Sequence, residues 1–294
     1  MDYAVVIATL NREKLIGRAI DSVFKQRIKP KEFIIMLDAA SNIENIDILL
    51  SYKRKYPIIK IYNIKNRIGA LALINLGVKK AGLGIILNMD DDAELLGENW
   101  IENAFQELKK KRVALVWGIK GIPPNTKYGN FIAQAYLFKK DIYEQVGGFP
   151  DNFFIYDNEI DLTIRLHIAG VYPYYSEKLD TNHGLEHLGA KSSINWGKTY
   201  IYYDFSNRLF IYWKYYPIYF AFLLSIFHFI QTMRFYAIEF KEYFGPFRAL
   251  KRFLNNFYVV VYKNRKVLPV KQFFKICYQM KFPFSIYWFL EKLH

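Results

Sequence analysis

Three consecutive aspartates, Asp90, Asp91 and Asp92, close the apolar run Ile85-Ile86-Leu87-Asn88-Met89. Adjacent carboxylates repel one another and need a counter-charge. In an extended or turning backbone Asp90 and Asp92 point to one side and Asp91 to the other. Two hard oxygen donors on one side make a partial site for Mg2+ or Mn2+, with positions left for water and phosphate oxygens. The alternative is a solvated acidic turn capping a helix that begins near Glu98; placement directly after an apolar run disfavours it. A second carboxylate segment follows the glycine-marked turn and aromatic stretch Gly147–Tyr156. There Asp157 or Asn158 can cap a helix, and Asp161 and Arg165, spaced i,i+4, can pair on one face. Glu159 lies between the aromatic stretch and the apolar Ile160 and Leu162, where a carboxylate with a raised pKa can serve as a general base.

These groups need a scaffold that brings distant segments together. Tyr3–Ala8, Glu32–Leu37, Ile58–Tyr62, Gly84–Met89 and Val113–Trp117 are short apolar runs of the kind that form buried parallel strands. Leu15, Ile16, Ala19, Ile20, Val23 and Phe24 recur at helical spacing between the first two, and Leu71–Val78 do so less cleanly. The rhythm predicts a doubly wound, mainly parallel α/β sheet of Rossmann-like winding. Four clusters then emerge at its carboxyl edge, where such sheets bind ligands: Thr9-Leu10-Asn11-Arg12, Asp38-Ala39-Ala40-Ser41, Asn66-Arg67-Ile68-Gly69 and the aspartates. Neither glycine-rich phosphate loop, G-x-x-x-x-G-K or G-x-G-x-x-G, occurs, so another device must hold any phosphate.

Taken in order, these motifs resemble the inverting glycosyltransferases of family 2, with the GT-A fold, of the rhamnosyl- and galactofuranosyltransferase kind. The resemblance runs over roughly residues 3–215. Val5–Arg12 looks like the family's opening strand and loop, and Asp38 is similar to the aspartate that holds the nucleotide base. Asn66-Arg67-Ile68-Gly69 resembles its N-x-x-G segment, and Asp90-Asp91-Asp92 its D-x-D metal and diphosphate motif. The resemblance implies a nucleotide-diphosphate sugar donor held by Thr9, Asn11, Arg12, Asp38, Asn66, Arg67, Gly69, Asp90 and Asp91. It implies a divalent cation, Mn2+ or Mg2+, on Asp90, Asp92 and His187. The family's Glu-Asp pair, whose aspartate deprotonates the acceptor hydroxyl, is here Asn158-Glu159, so a longer carboxylate fills the base position. Trp117, Asp157, Asn158 and Asp161 are candidates for the acceptor and sugar pocket, with core packing or helix pairing as the alternative. His183, Glu186 and His187 do not make a zinc motif of the H-E-x-x-H type, because the order is wrong and Gly184 weakens a helix.

The back third has a different character. Residues 195–294 carry 15 Lys and Arg against 4 Asp and Glu, and 33 of the chain's 54 aromatic residues. Lys214 and Arg234 bracket 19 uncharged residues, Tyr215–Met233, about the minimum for a spanning helix. One span would leave 12 basic and 3 acidic residues in 234–294 on the far side, against the positive-inside rule. Helices lying on an anionic membrane surface fit the mixture of cations and aromatics better. A soluble helical subdomain or a homo-oligomer contact is the alternative. No nucleic-acid motif accompanies the charge, which excludes that partner. The expected domains are 1–214, catalytic, and 215–294, helical and membrane-associating. A single cysteine, Cys277, excludes a disulfide framework, and the N-terminus has no basic leader, which predicts a cytoplasmic protein at the inner membrane face. The predicted activity is transfer of a sugar to a hydroxyl on a lipid-linked or membrane-proximal glycan. A metal-dependent nucleotidyltransferase and a non-catalytic membrane-tethered scaffold are the competing classes; the first would carry a Gly-rich basic opening loop, which Thr9–Arg12 is not.

Overall fold

The computed structural model describes residues 1–119, 131, 134–183, 194–241 and 243–280. They fall into two compact units, one of residues 1–154 and 158–188 and the other of residues 155–157 and 189–294.

In the first unit the apolar runs become strands within one residue of their expected limits. β1 (Ala4–Thr9), β2 (Glu32–Leu37), β3 (Ile59–Asn63) and β4 (Ile85–Met89) pair in parallel in the order β3-β2-β1-β4. A short β5 (Ala93–Leu95) follows the aspartates, and β6 (Val113–Trp117), β7 (Ala135–Lys139) and β8 (Tyr172–Tyr175) complete a seven-stranded sheet ordered β3-β2-β1-β4-β7-β6-β8. The Val113–Trp117 run is not a direct continuation of the parallel sheet: β7 stands between β4 and β6, antiparallel to both. β5 pairs with β9 (Thr181–His183) in a separate two-stranded ribbon.

Both faces of the sheet are covered, which is why its strands read as apolar runs rather than alternating patterns. Val5, Ile7, Ile35, Leu87, Met89, Val116 and Leu137 join one core cluster with the inner faces of α1 (Ile16–Lys25) and α4 (Trp100–Leu108). Each fully buried aliphatic side chain there contributes about 1.5–3 kcal/mol. On β1 and β2 also packs α3 (Ala70–Lys80), and Gly77 makes the approach close: a Cβ at that position would lie 2.6 Å from Val6 Cγ1. α2 (Ile43–Lys55) is capped by Asn42, whose side chain accepts from the Asn45 N–H at 2.9 Å. α5 (Lys140–Gln145) and α6 (Asn158–Ile168) follow β7, and α6 packs against β8.

The second unit is helical: α7 (Ile194–Tyr215), α8 (Ile218–Phe235), a π-helical turn at Tyr236–Phe240, α9 (Gly245–Val260) and α10 (Val270–Met280). It takes in the whole of α7, which packs on α8 and α9. Its interior is aromatic, with Phe205, Phe210, Tyr212, Tyr215 and Phe273 almost wholly buried. A polar network runs through it. Arg208 Nε donates to Asp157 Oδ1 at 2.9 Å, and Arg208 Nη2 lies 3.7 Å from Asp204. Asn207 Nδ2 donates to the carbonyls of Ile155 and Tyr156 at 2.8 and 2.9 Å, and Arg252 Nη1 donates to Asn207 Oδ1 at 2.9 Å.

Candidate active site

The carboxyl ends of β1, β2 and β4 meet through short loops. Asn11, in the left-handed region at φ +53°, turns its Oδ1 to accept the Asn42 N–H at 2.7 Å, tying the first loop to the start of α2. Asp38 is buried; its backbone N–H donates to the Thr9 carbonyl at 3.2 Å and its carboxylate accepts from Ala40 N–H at 3.1 Å. Thr9, Asn11, Arg12 and Asp38 are therefore gathered as expected from strand order. Arg12 reaches across to the aspartates, with its guanidinium 3.6 Å from Asp91 Oδ1 and 3.8 Å from Asp92 Oδ2.

The Arg12 guanidinium faces a group of carboxylates. Burial, then the negative charges of Asp92, Asp91 and Glu159, push the Asp90 carboxyl well above its usual range, against the opposing charge of Arg12. Asp91 is turned toward Thr9, Leu10 and Arg12, and burial raises its pKa to about 6 against their pull. Glu159, in the first turn of α6, thus shares the electrostatic environment of Asp90 although 69 residues separate them in sequence. Hard oxygen donors and excess negative charge fit a divalent cation that takes its other ligands from phosphate and water. They do not form a closed cage: among the described residues no group of three or more His, Cys, Asp or Glu side chains is arranged to hold a metal.

Asn66 and Arg67 are exposed, and the turn they open ends at Gly69, whose φ of +86° favours glycine. A Cβ there would lie 2.9 Å from the Phe154 ring, and the Arg67 guanidinium stands 5.9 Å from the centre of that ring. The N-x-x-G segment and the aromatic stretch before α6 therefore meet. Asn75 of α3 organises the turn leading to that stretch. Its Oδ1 accepts from Tyr143 Oη (2.6 Å) and Phe149 N–H (2.9 Å), and its Nδ2 donates to the Phe149 carbonyl (2.9 Å) and Asp151 Oδ1 (2.6 Å).

Other sequence candidates are placed differently. Asp161 is fully buried and bound by Arg165, whose Nε and Nη2 reach its Oδ2 at 2.8 and 2.6 Å, so the i,i+4 pairing accounts for it. Asp157 belongs to the second unit; at φ +57° it lacks the extended backbone of a helix N-cap, and its carboxylate accepts from Arg208. Asn158 is buried at the start of α6. Trp117 is buried, edge-on to Tyr175 at 5.1 Å, and stands opposite Tyr136 in the β6–β7 register. His187 lies outside the described residues, and the backbone of His183 pairs with Ala93. Sequence reasoning missed Tyr136, whose buried phenol is pushed well up by burial and by the charges of Tyr143, Asp90 and Glu159. An aromatic residue inside an apolar run carries no signal of a polar neighbour.

The same organisation recurs in known proteins. A family model described as "Glycosyl transferase family 2" matches residues 4–165. A protein of Bacillus subtilis (strain 168), described as the uncharacterized glycosyltransferase YwdF, is 32% identical over 94 residues, 31% of this chain. The match spans one third of that relative's length, 33%. The mannosyltransferase PcManGT from Pyrobaculum calidifontis, solved with GDP-Man and Mn2+, has a TM-score of 0.58 at 14% identity, over 86% of this chain and 74% of that one. GalNAc-T7, solved with UDP, GalNAc and Mn2+, has a TM-score of 0.52 at 15% identity, over 69% of this chain and 48% of that one. At those identities the shared property is the fold, the mainly parallel α/β arrangement called GT-A. The family match takes in more than half of the 294 residues, from the opening strand through the aspartates to Arg165, and the chain therefore belongs to glycosyl transferase family 2.

Proposed function

We propose that this chain transfers a sugar from a nucleotide-diphosphate donor to an acceptor hydroxyl with inversion at the anomeric centre. Asp38 and the Thr9–Arg12 loop hold the nucleotide, with Asn66, Arg67 and Gly69 at the neighbouring strand end. Asp90 and Asp92, with His187, hold Mn2+ or Mg2+, which when bound neutralises the leaving diphosphate. Asp91, against Arg12, keeps the opening loop on the aspartate turn. Glu159 takes the acceptor proton. The observation that supports this reading is the joint action of the Asp92, Asp91 and Glu159 charges on the buried Asp90 carboxyl, the base candidate among them. A thermal-shift panel of nucleoside diphosphates with and without Mn2+ tests it. One base class should stabilise the wild type, by about 2.7 kcal/mol at one hundred times its dissociation constant, and only with the metal. Asp92→Asn should abolish that shift, and an undiminished metal-dependent shift in the variant would remove Asp92 from the site.

The acceptor is a hydroxyl on a lipid-linked or membrane-proximal glycan, and the enzyme is peripheral at the cytoplasmic face of an anionic membrane. The second unit supports this part. The outward side of α8 bears Ile218, Tyr219, Phe222, Leu223, Ile226 and Ile230, all exposed, while Ser225 and Thr232 turn inward to bond within the unit. That is the reverse of a helix whose solvent is water. Arg234, Lys241, Arg248, Lys251, Lys263 and Lys266 are exposed in the same unit, as anionic headgroups require. Among the described residues, Ile218–Ile238 is the one helix long and apolar enough to cross a membrane. His228, at its middle, lies 4.0 Å from Asp204 of α7. A spanning α8 would carry that carboxylate to the centre of the bilayer, at high cost, so α8 lies in the surface.

A further inference from the structure

The β4–β7 pairing places a row of polar groups on one face of the sheet. Tyr136 stands directly opposite Asn88, and the Asp90 N–H donates to the Gln134 carbonyl at 2.7 Å. Side chains alternate along a strand, so Asn88, Asp90, Gln134 and Tyr136 share this face. Trp117, opposite Tyr136 in β6, extends the row. The other face of the same strands is apolar: Leu87, Met89, Ala135 and Leu137 belong to the core cluster.

Tyr136 is 0% exposed, Asn88 1% and Gln134 8%. Among the described residues the Tyr136 hydroxyl, Asn88 Oδ1 and Gln134 Oε1 have no hydrogen-bond partner. A buried polar atom without a partner destabilises the fold, and such atoms are rare in native proteins. Three on one face, beside the aspartate turn, call for a partner that the described residues do not supply. The side chain of Asn88 is already engaged, its Nδ2 donating to the Val6 carbonyl at 2.8 Å, which leaves Tyr136 opposite it and Gln134 level with Asp90. A neutral phenol and a neutral carboxamide suit a neutral ring rich in hydroxyls.

We propose that Tyr136 and Gln134 form the subsite for the transferred sugar, the Tyr136 hydroxyl donating to one ring hydroxyl and the Gln134 carboxamide oxygen accepting from another. The inference rests on the functional reading above and deepens it: these two residues select among hexose donors by the orientation of their hydroxyls. A site built to hydrogen-bond a hydroxyl discriminates strongly, because a substrate lacking that group leaves the site's polar atoms unpaired.

The test uses the full chain and Tyr136→Phe, which removes one oxygen and keeps the ring. Since that oxygen has no partner in the protein, the melting temperature should hold or rise. Affinity for nucleoside diphosphates with Mn2+, which lack the sugar, should stay within two-fold. For the corresponding nucleotide hexose, kcat/KM should fall 10–100-fold, and selectivity among its epimers should narrow. Gln134→Met should repeat the pattern with a different epimer affected. Equal kcat/KM and unchanged selectivity in both variants would mean that ordered water fills the face, and would overturn the proposal. So would a lowered melting temperature in both, or an equal loss of diphosphate and nucleotide-sugar binding. A wild type that binds nucleoside diphosphates but no nucleotide hexose sinks this proposal alone; one that binds neither sinks the functional reading with it.

Discussion

Glu159 is one atom longer than the aspartate that the family resemblance puts at the base position, and it follows an amide rather than an acid. Its place in the first turn of α6, acting on Asp90, is compatible with proton removal beside a diphosphate. Glu159→Gln keeps the shape and loses the basicity, so donor binding should persist while turnover falls by about 10²–10⁴-fold. Steady-state kinetics against a binding titration separate the two, and activity within a few-fold of wild type would move the base elsewhere. Much of this edge was legible in residue types: the aspartates, Arg12, Asp38 and Gly69 are polar or conformationally special residues interrupting apolar runs. Tyr136 and Gln134 were not, because a tyrosine among Ala135, Leu137 and Phe138 reads as core and its neighbours become known only through strand register. Asp161 looked ambiguous for a local reason: its i,i+4 partner was visible in sequence, but its complete burial was not.

Among the elements, β1 to β4 were legible because each is a continuous apolar run ended by a polar cluster. β7 was missed, and with it the antiparallel break in the sheet, since nothing local distinguishes a strand's direction. The segment 155–157 shows the same limit. Tyr156 and Asp157 both have positive φ, at +68° and +57°, which costs energy for residues other than glycine. Asn207 and Arg208, some 50 residues later, supply the bonds that hold this backbone. Arg208→Met keeps an apolar stem of similar length and takes the guanidinium away from the buried Asp157 carboxylate. Removing one partner of a buried pair destabilises by about 3–5 kcal/mol. Urea unfolding should register a loss of that size, and a change below about 1 kcal/mol, the scale of an exposed ion pair, would show that the pair is not buried in effect.

At the scale of the molecule, composition separates a nearly neutral front from a cationic, aromatic back, and the fold forms two units, residues 1–154 with 158–188 and residues 155–157 with 189–294. The α8 face, with Phe222 55% and Ile226 46% exposed, predicts a bilayer contact that salt weakens without abolishing. Phe222→Asp with Ile226→Asp should leave the melting temperature unchanged and remove flotation with anionic vesicles at high salt. Full retention of the wild type in a carbonate-washed membrane pellet would show a spanning helix, and a dimer split by the double variant without lipid would show a protein contact instead. The central claim is sugar transfer from a nucleotide-diphosphate donor. Its most direct measurement is release of nucleoside diphosphate from a panel of nucleotide sugars, with Mn2+ and membrane lipid extract as the source of acceptor. Inverting transfer by this site gives metal- and acceptor-dependent release from donors of one base, lost in Asp92→Asn and slowed at least a hundredfold in Glu159→Gln. No release from any donor, or pyrophosphate released from a nucleoside triphosphate instead, would contradict it.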